Sequence, residues 1–484
     1  MEIPSLKGAC APLIQPLTLL SSRTLLSLAI FASPAYAACP ANYPETGAIE
    51  QHIEHDDIAN NKASIAHIHR LGKQLFVAKF NLCDGQGRPA TTGGGVKRAA
   101  DQPAFIRTSS PETNSCAGCH SQPAIGGSGE FVVNAFILAQ RLDPVTESVS
   151  SDFSNERNTL GMHGSGAIEM LAREMTFELR AQAQELPDGV HTLQSKGIRF
   201  KIRKEHGAVV ESEGINTDLM VRPFNQSGNI ATLRHFSVDA MNHHHGMQAE
   251  ERFDLNPGKG FDKDHDEDGV ERELSIGDIT ALTVYQATLP VPQQVLPHSR
   301  KKRQAVLLGA KKFNDIGCNS CHVPELTLNV PVFSEPSPLN AAHTFNDTSR
   351  SIRWDMTTEG KAPRLLKNQD GTATVRAYTD LKRHNLCDPK GTPDAIRFFC
   401  NEKLDQSRPA QDGNPGAEYF ITRKLWDVGS SAPYGHRGDI TTLTEAILYH
   451  GGEARQSRDG FTLLPLSEQQ AVIQFLKSLQ VVDE

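Results

Sequence analysis

Two pentapeptides decide how this chain is read: Cys116-Ala117-Gly118-Cys119-His120 and Cys318-Asn319-Ser320-Cys321-His322. Both are C-x-x-C-H. Two thiols at this spacing reach the two vinyl groups on one edge of a porphyrin and form thioethers. The histidine that follows gives iron a nitrogen ligand beneath the ring. The chain holds 9 Cys and 19 His in 484 residues, so two such pentapeptides by chance are far rarer than one. A zinc half-site would need a second ligand cluster at short range, and a thioredoxin-like C-x-x-C needs a strand–helix setting. The flanking sequence offers neither. The motifs predict two covalent haem c groups, attached at Cys116, Cys119, Cys318 and Cys321, with His120 and His322 on iron.

Around these motifs the composition is that of an ordinary water-facing protein, 38% hydrophobic and 22% charged. The net charge of −8 argues against nucleic acid as a partner. The densest basic run, Arg300-Lys301-Lys302-Arg303, reads as the solvated start of a helix. At the N-terminus, Lys7 and Arg23 precede an apolar stretch, Leu25 to Phe31, and then Ala35-Tyr36-Ala37. That order is a secretory signal spanning 1–37, with cleavage after Ala37. Its apolar part is too short to span a bilayer, and no later stretch is longer. No transmembrane segment is expected after cleavage, and the periplasm is the expected location.

Cysteine arithmetic agrees with export. Cys10 leaves with the signal and the haems use four. Cys39, Cys83, Cys387 and Cys400 remain, an even number suited to an oxidising compartment. Cys387 with Cys400 closes a short polar loop, and Cys39 with Cys83 then ties down the mature N-terminus.

The pattern along the chain predicts a mainly α fold of two cytochrome c-like haem domains with long loops and a small β insertion. The first domain spans 38–290 and the second 291–484, with Pro290 to Pro297 as the linker. From 38 to 80 the pattern is helical, with Ile65, Ile68, Leu71 and Leu75 on one face. A further helix starts at Gly164 and runs towards Gln184. Period-two alternation in Gly197–Ile202 and a return strand at 207–211 place the β insertion at about 187–215. Ala231 begins another helix, which ends near His243-His244-His245-Gly246-Met247. A glycine four residues before a phenylalanine precedes each motif, Gly72 with Phe76 and Gly309 with Phe313, which suggests a repeated unit. Thr379 to His384 reads as a helix end. Thr442-x-x-Glu445 is a capping box whose helix presents Leu443, Ala446, Ile447 and His450 on one face. Ser467-x-x-Gln470 begins the last helix.

Asp264-His265-Asp266-Glu267-Asp268-Gly269 has the start of a calcium loop. Ser275 stands where the twelfth-position acid belongs, so Glu273 would close a shortened loop over 264–273. Either Asp264, Asp266, Asp268 and Glu273 hold one calcium, or they form an acidic turn that caps the next helix.

Several stretches together resemble the di-haem oxidoreductase family, related to bacterial di-haem cytochrome c peroxidases and MauG. They are Lys424–Gly438 with its Pro433-Tyr434-Gly435-His436, Thr442–Ala454 with His450-Gly451-Gly452, Asn114–His120 with Gly126-Gly127-Ser128-Gly129, and Thr232-Leu233-Arg234 leading to Gly246-Met247-Gln248. The resemblance runs over roughly 70–480. It implies that the haem on His120 is the reactive centre and the haem on His322 the electron-transfer centre. It puts His450 where the peroxidases carry a methionine, and MauG a tyrosine, on the second iron. His436 falls near the path between haems in related enzymes. Trp354 and Trp426 are either between the haems or in the core. Aligned with the peroxidases' distal helix, Phe236 stands where they carry Gln and Gly246 where they carry the acid–base Glu. His235, His243, His244, His245 or Glu169 could then move the proton, or one of these or Met247 could ligate iron. The catalytic candidates are therefore His245, Met247, Phe236 and His436.

Three functions are compatible with these residues. One is an oxidoreductase with peroxidase-like chemistry at the first haem, acting on a small oxidant or an organic substrate. The second is an electron carrier with two six-coordinate haems. The third is an oxygenase-type enzyme with an apolar pocket around Phe236. Each implies a periplasmic electron donor or acceptor protein as partner.

Overall fold

Ser64 accepts a hydrogen bond from the His67 N–H and so caps the first long helix. This helix, α1 (Ile65–Val77), turns Ile68, Leu71, Leu75 and Phe76 inward. The computed structural model describes residues 39, 43–60, 62–87, 111–133, 156–254, 269–341, 344–400 and 418–482, all within one unit, Tyr36–Glu484. The expected signal (1–37) lies outside the described residues. The helical reading of 38–80 is too long. Apart from one turn at His55–Ala59, the described residues before Ser64 form no helix. The reason is a distant partner: the Asp84 carboxylate accepts the Ala48 and Ile49 N–H groups at 3.0 and 2.9 Å, taking the donors a helix would use.

The next elements follow the predicted pattern. Helix α2 (Ser165–Glu185) is buried along most of its first half. Strands β1 (Gly189–Ser195), β2 (Ile198–Glu205) and β3 (Ala208–Ser212) form an antiparallel sheet in that order. β2 alternates buried and exposed, with Phe200 and Ile202 against α2 in the main core. The insertion therefore holds one strand more than the alternation revealed. Helix α3 (Leu233–Ala240), capped by Thr232, runs into a wider π-helical turn, Met241–His245, ended by Gly246 at φ 67°. Helix α4 (Ile276–Ala287) opens on a Ser275–Asp278 capping box.

Helix α5 (Arg300–Asp315) precedes the second motif. From 326 to 421 the chain makes short antiparallel ladders. Among them Arg383–Asn385 pairs with Tyr419–Ile421, which corrects the helix end expected at Thr379–His384. Tyr378 and Leu381 take positive φ there, which breaks any helix. Helix α6 (Leu443–Leu448) has the predicted Thr442–Glu445 box. The last helix, α7 (Leu466–Lys477), starts after Pro465 and not from a Ser467 cap. Its chain end, Leu479–Gln480, pairs with Gln293–Gln294, so the segment expected to be a linker is hydrogen-bonded into the fold. The architecture is mainly helical with several small sheets. No helix among the described residues is long and apolar enough to cross a membrane.

Two helix crossings repeat one plan. Gly72 of α1 lies against the Ala281 carbonyl of α4, and Gly309 of α5 against the Ala471 carbonyl of α7. An added Cβ at either glycine would collide with that backbone. The glycines thus let each helix pair approach closely. Beside each crossing an aromatic pair packs, Phe76 on Tyr285 at 5.3 Å and Phe313 on Phe475 at 5.4 Å between centroids.

Candidate functional site

Each repeat ends at a cysteine–histidine motif. The ring of Phe76 stands 6.3 Å from that of His120, and the ring of Phe313 stands 6.3 Å from that of His322. The close-packed α1/α4 and α5/α7 pairs therefore place the two motifs equivalently. Each motif opens on a cavity, of about 370 Å³ at Cys116, Cys119 and His120, and about 260 Å³ at Cys318, Cys321 and His322.

The imidazoles are aimed by backbone carbonyls. His120 Nδ1 donates to the Gly127 carbonyl (3.2 Å), His322 Nδ1 to Tyr378 (3.1 Å), and His450 Nδ1 to Ala446 (2.6 Å). A carbonyl only accepts, so each Nδ1 carries the proton and each Nε2 keeps its lone pair. That is the second-sphere arrangement of an iron-ligating histidine. His450 lines the same cavity as His322, at the end of α6 where the Thr442 capping box directs it. Burial pushes His120 and His322 down to about 4, so both stay neutral at ordinary pH.

The four motif thiols are in no disulfide, whereas Cys39–Cys83 and Cys387–Cys400 are bonded as the arithmetic expected. Burial pushes Cys116 up to about 12, Cys119 to about 11 and Cys318 to about 12. A redox C-x-x-C needs the opposite shift. Among the described residues, Cys116 and Cys119 belong to no cluster that could hold a metal; the one such cluster is Cys321, Asp380 and His384. There His384 donates Nε2–H to Asp380 (2.9 Å) and Nδ1–H to Glu453 (2.7 Å). Although burial opposes it, these hydrogen bonds raise His384 to about 12, so it is an imidazolium with no lone pair to offer. Free thiols, lone-pair imidazoles and a cavity at each motif fit a haem c on Cys116, Cys119 and His120. They fit a second on Cys318, Cys321 and His322, with His450 as its further ligand.

Of the remaining predicted residues some line the cavities and others lie in the core. Phe236 and His245 line the first. His245 is fixed there, Nδ1 on the Thr113 carbonyl at 2.9 Å and Nε2 3.3 Å from Cys116 Sγ. Met247 is fully buried among Leu75, Phe80 and Leu274 and lines neither cavity. His436 lines the second cavity, stacked on Phe420 at 3.7 Å. Glu169 pairs with Arg173 at 2.7 Å, away from both cavities. Trp354 and Trp426 lie in the main core. Asp264, Asp266 and Asp268 lie outside the described residues; buried Glu273 accepts the Gln248 N–H at 2.6 Å.

One network, which reaches the first cavity through Asp239 and His243, combines groups that the sequence left separate. His235 Nε2 lies 3.2 Å from Asp239 Oδ2, Arg252 Nη1 pairs with Asp239 Oδ1 at 2.5 Å, and Arg252 Nη2 donates to His243 Nε2 at 3.3 Å. Burial alone would raise Asp239, but His235 and Arg252 hold its carboxyl well below the usual range. The i, i+4 spacing of His235 and Asp239 on α3 was the available signal for this pair. Arg423 and Lys424, at the wall between the cavities, were not singled out. Their signal was an Arg-Lys pair directly after an apolar strand.

Residues 393–479 match the family model described as "Di-haem oxidoreductase, putative peroxidase". The chain is similar to the di-haem oxidoreductases. The matched segment contains His436, His450, Arg423 and Lys424, and so much of the second cavity. Among solved structures, the "Crystal structure of a MauG-like protein associated with microbial copper homeostasis" aligns over 65% of this chain and 88% of that chain, at 14% identity and a TM-score of 0.25. No curated protein matches the chain.

Proposed function

We propose that this protein is a di-haem c-type oxidoreductase, exported to the periplasm through residues 1–37, with peroxidase-like chemistry at the first motif and electron relay at the second. The observation that carries this reading is the asymmetry of two otherwise equivalent sites. His322 shares its cavity with His450, whose free Nε2 is directed by the Ala446 carbonyl. The cavity at His120 is larger; its wall carries Phe236, Asp239 and His243, and His245 there is tied at Nδ1 to the Thr113 carbonyl with Nε2 3.3 Å from Cys116 Sγ, not turned to the cavity as His450 is.

A haem c supplies one-electron redox chemistry and an iron position for a small oxidant. The chain's residues do the rest. Cys116 and Cys119 would hold one haem covalently, as Cys318 and Cys321 would at the second site. His120 and His322, turned by the Gly127 and Tyr378 carbonyls, present Nε2. His450 would give the second haem its further nitrogen ligand. Arg252, paired with Asp239, donates to His243 Nε2, so His243 carries its proton on Nδ1 and is the group placed to give that proton at the first cavity and take it back. Phe236 keeps that cavity apolar on one side.

The two halves, 38–290 and 291–484, are then two haem units, supported by the repeated Gly72–Ala281 and Gly309–Ala471 crossings. The two disulfides support an oxidising compartment. A periplasmic electron-donor or acceptor protein completes the scheme.

Electron paramagnetic resonance of the oxidised and half-reduced holoprotein tests the reading. One haem should give a constant low-spin signal, and the other a high-spin signal in at least one state. Two low-spin signals that never change would make the protein an electron carrier and overturn the enzymatic reading.

A further inference from the structure

The two cavities share a wall. Residues 158–161, 225–226 and 421–424 line both. The wall is tightly held: Ile421 N–H donates to the Gln226 carbonyl, Gln226 Nε2 to the Asn158 carbonyl, and Asn158 N–H to the His436 carbonyl. Into this wall, just after the strand Tyr419–Ile421, the chain places Arg423 and Lys424. Lys424 Nζ donates to the Gly161 carbonyl at 2.5 Å. The Arg423 guanidinium makes no hydrogen bond or ion pair with a described residue, although it faces both cavities.

The charge here does not balance. The acid acting on both cations is Asp427, one carboxylate for two positive groups, and its buried Oδ2 has no hydrogen-bond partner. Both side chains are half-buried in this wall. A cation withdrawn even partly from water costs free energy unless an anion offsets it. The wall therefore calls for an anion from the cavity side. A guanidinium offers a planar fork that matches a carboxylate bidentately.

This inference rests on the di-haem reading: we propose that Arg423, assisted by Lys424, is a carboxylate clamp that binds haem propionates from the wall common to both cavities. Arg423 is then a positioning residue. One cation in a shared wall also raises both haem potentials together, because positive charge favours the reduced state of each.

The test uses the holoprotein. Covalent haems are first counted by mass; a wild-type protein without two haems sinks the di-haem reading itself and leaves no clamp to examine. Spectroelectrochemical titrations then compare wild type, Arg423→Met and Arg423→Lys. The clamp predicts that Arg423→Met keeps both haems but lowers both midpoint potentials, and that Arg423→Lys restores most of the loss. If Arg423→Met does not mature, Lys424→Gln is titrated in its place and must also lower both potentials. Unchanged potentials overturn the proposal. A titration with succinate distinguishes a free carboxylate ligand. Succinate that shifts the wild-type spectrum but not that of Arg423→Met, with potentials equal in its absence, would assign the clamp to an external carboxylate and overturn the propionate assignment.

Discussion

Gly309 of α5 lies so close to Ala471 of α7 that a Cβ would enter the space of the Ala471 carbonyl. The helix pair can cross at this distance only because the side chain is absent, and Phe313, one turn on, then reaches both Phe475 and His322. Gly309→Ala gains helix propensity of up to about 1 kcal/mol. It must nevertheless push the helices apart, an overpacking cost of about 1–3 kcal/mol. The expected outcome is a net loss of stability in chemical denaturation, with a perturbed Soret band as α5 moves.

His450 distinguishes the second site from the first. With its Nδ1 bound to Ala446, only Nε2 is available to the cavity. Replacing it by methionine should raise the potential of one haem and leave the other almost unchanged, since thioether ligation favours the reduced iron. Spectroelectrochemistry reads this directly. A shift in both haems, or in neither, would remove His450 from the ligand set.

Arg234 is the largest fully buried side chain among the described residues. It pairs with Glu251 and Glu335, each at 2.9 Å, and donates to Thr280 Oγ1 at 2.9 Å. Arg234→Met leaves two buried carboxylates without their cation. A loss of roughly 3–5 kcal/mol is expected, measured by denaturant unfolding. This is far more than any exposed pair such as Lys62–Asp57 would cost.

Glu335 gives that network a pH signature. Burial pushes its carboxyl up to about 7, Arg234 opposing and Glu169 adding to the rise. The folded state therefore holds a proton that the unfolded chain releases near its ordinary value. The associated stability is fully present below about pH 4.5 and is lost as the pH rises through about 7. Unfolding midpoints measured across this window should fall with pH in the wild type, and Glu335→Gln should remove that slope.

The Cys387–Cys400 bridge closes a loop with a sequence separation of 13, and chain-entropy arguments assign such a loop roughly 3 kcal/mol. Cys387→Ser should lower stability by about this amount without changing the covalent haem count, because thioethers take no part in thiol–disulfide exchange. A loss of haem in this variant would mean that the loop shapes the second cavity.

The local sequence determined what lies within a few bonds or one helical turn. The C-x-x-C-H spacing paired thiols with an adjacent histidine, Thr442 and Ser275 announced their helices, and alternation at Gly197–Ile202 announced a strand. The same local logic overreached at 38–64, where the distant Asp84 carboxylate takes the donors of a helix, and at Thr379–His384, where a partner strand some forty residues on claims the backbone. Only the tertiary structure decided which groups face which cavity. It sent His436 to the second site, withdrew Met247 into the core, joined His235, Asp239, Arg252 and His243 in one network, and set Arg423 between both sites. Spacing constrains neighbours through covalent geometry, whereas the facing of residues far apart in the chain is settled by how helices and ladders pack, and packing depends on every side chain at once.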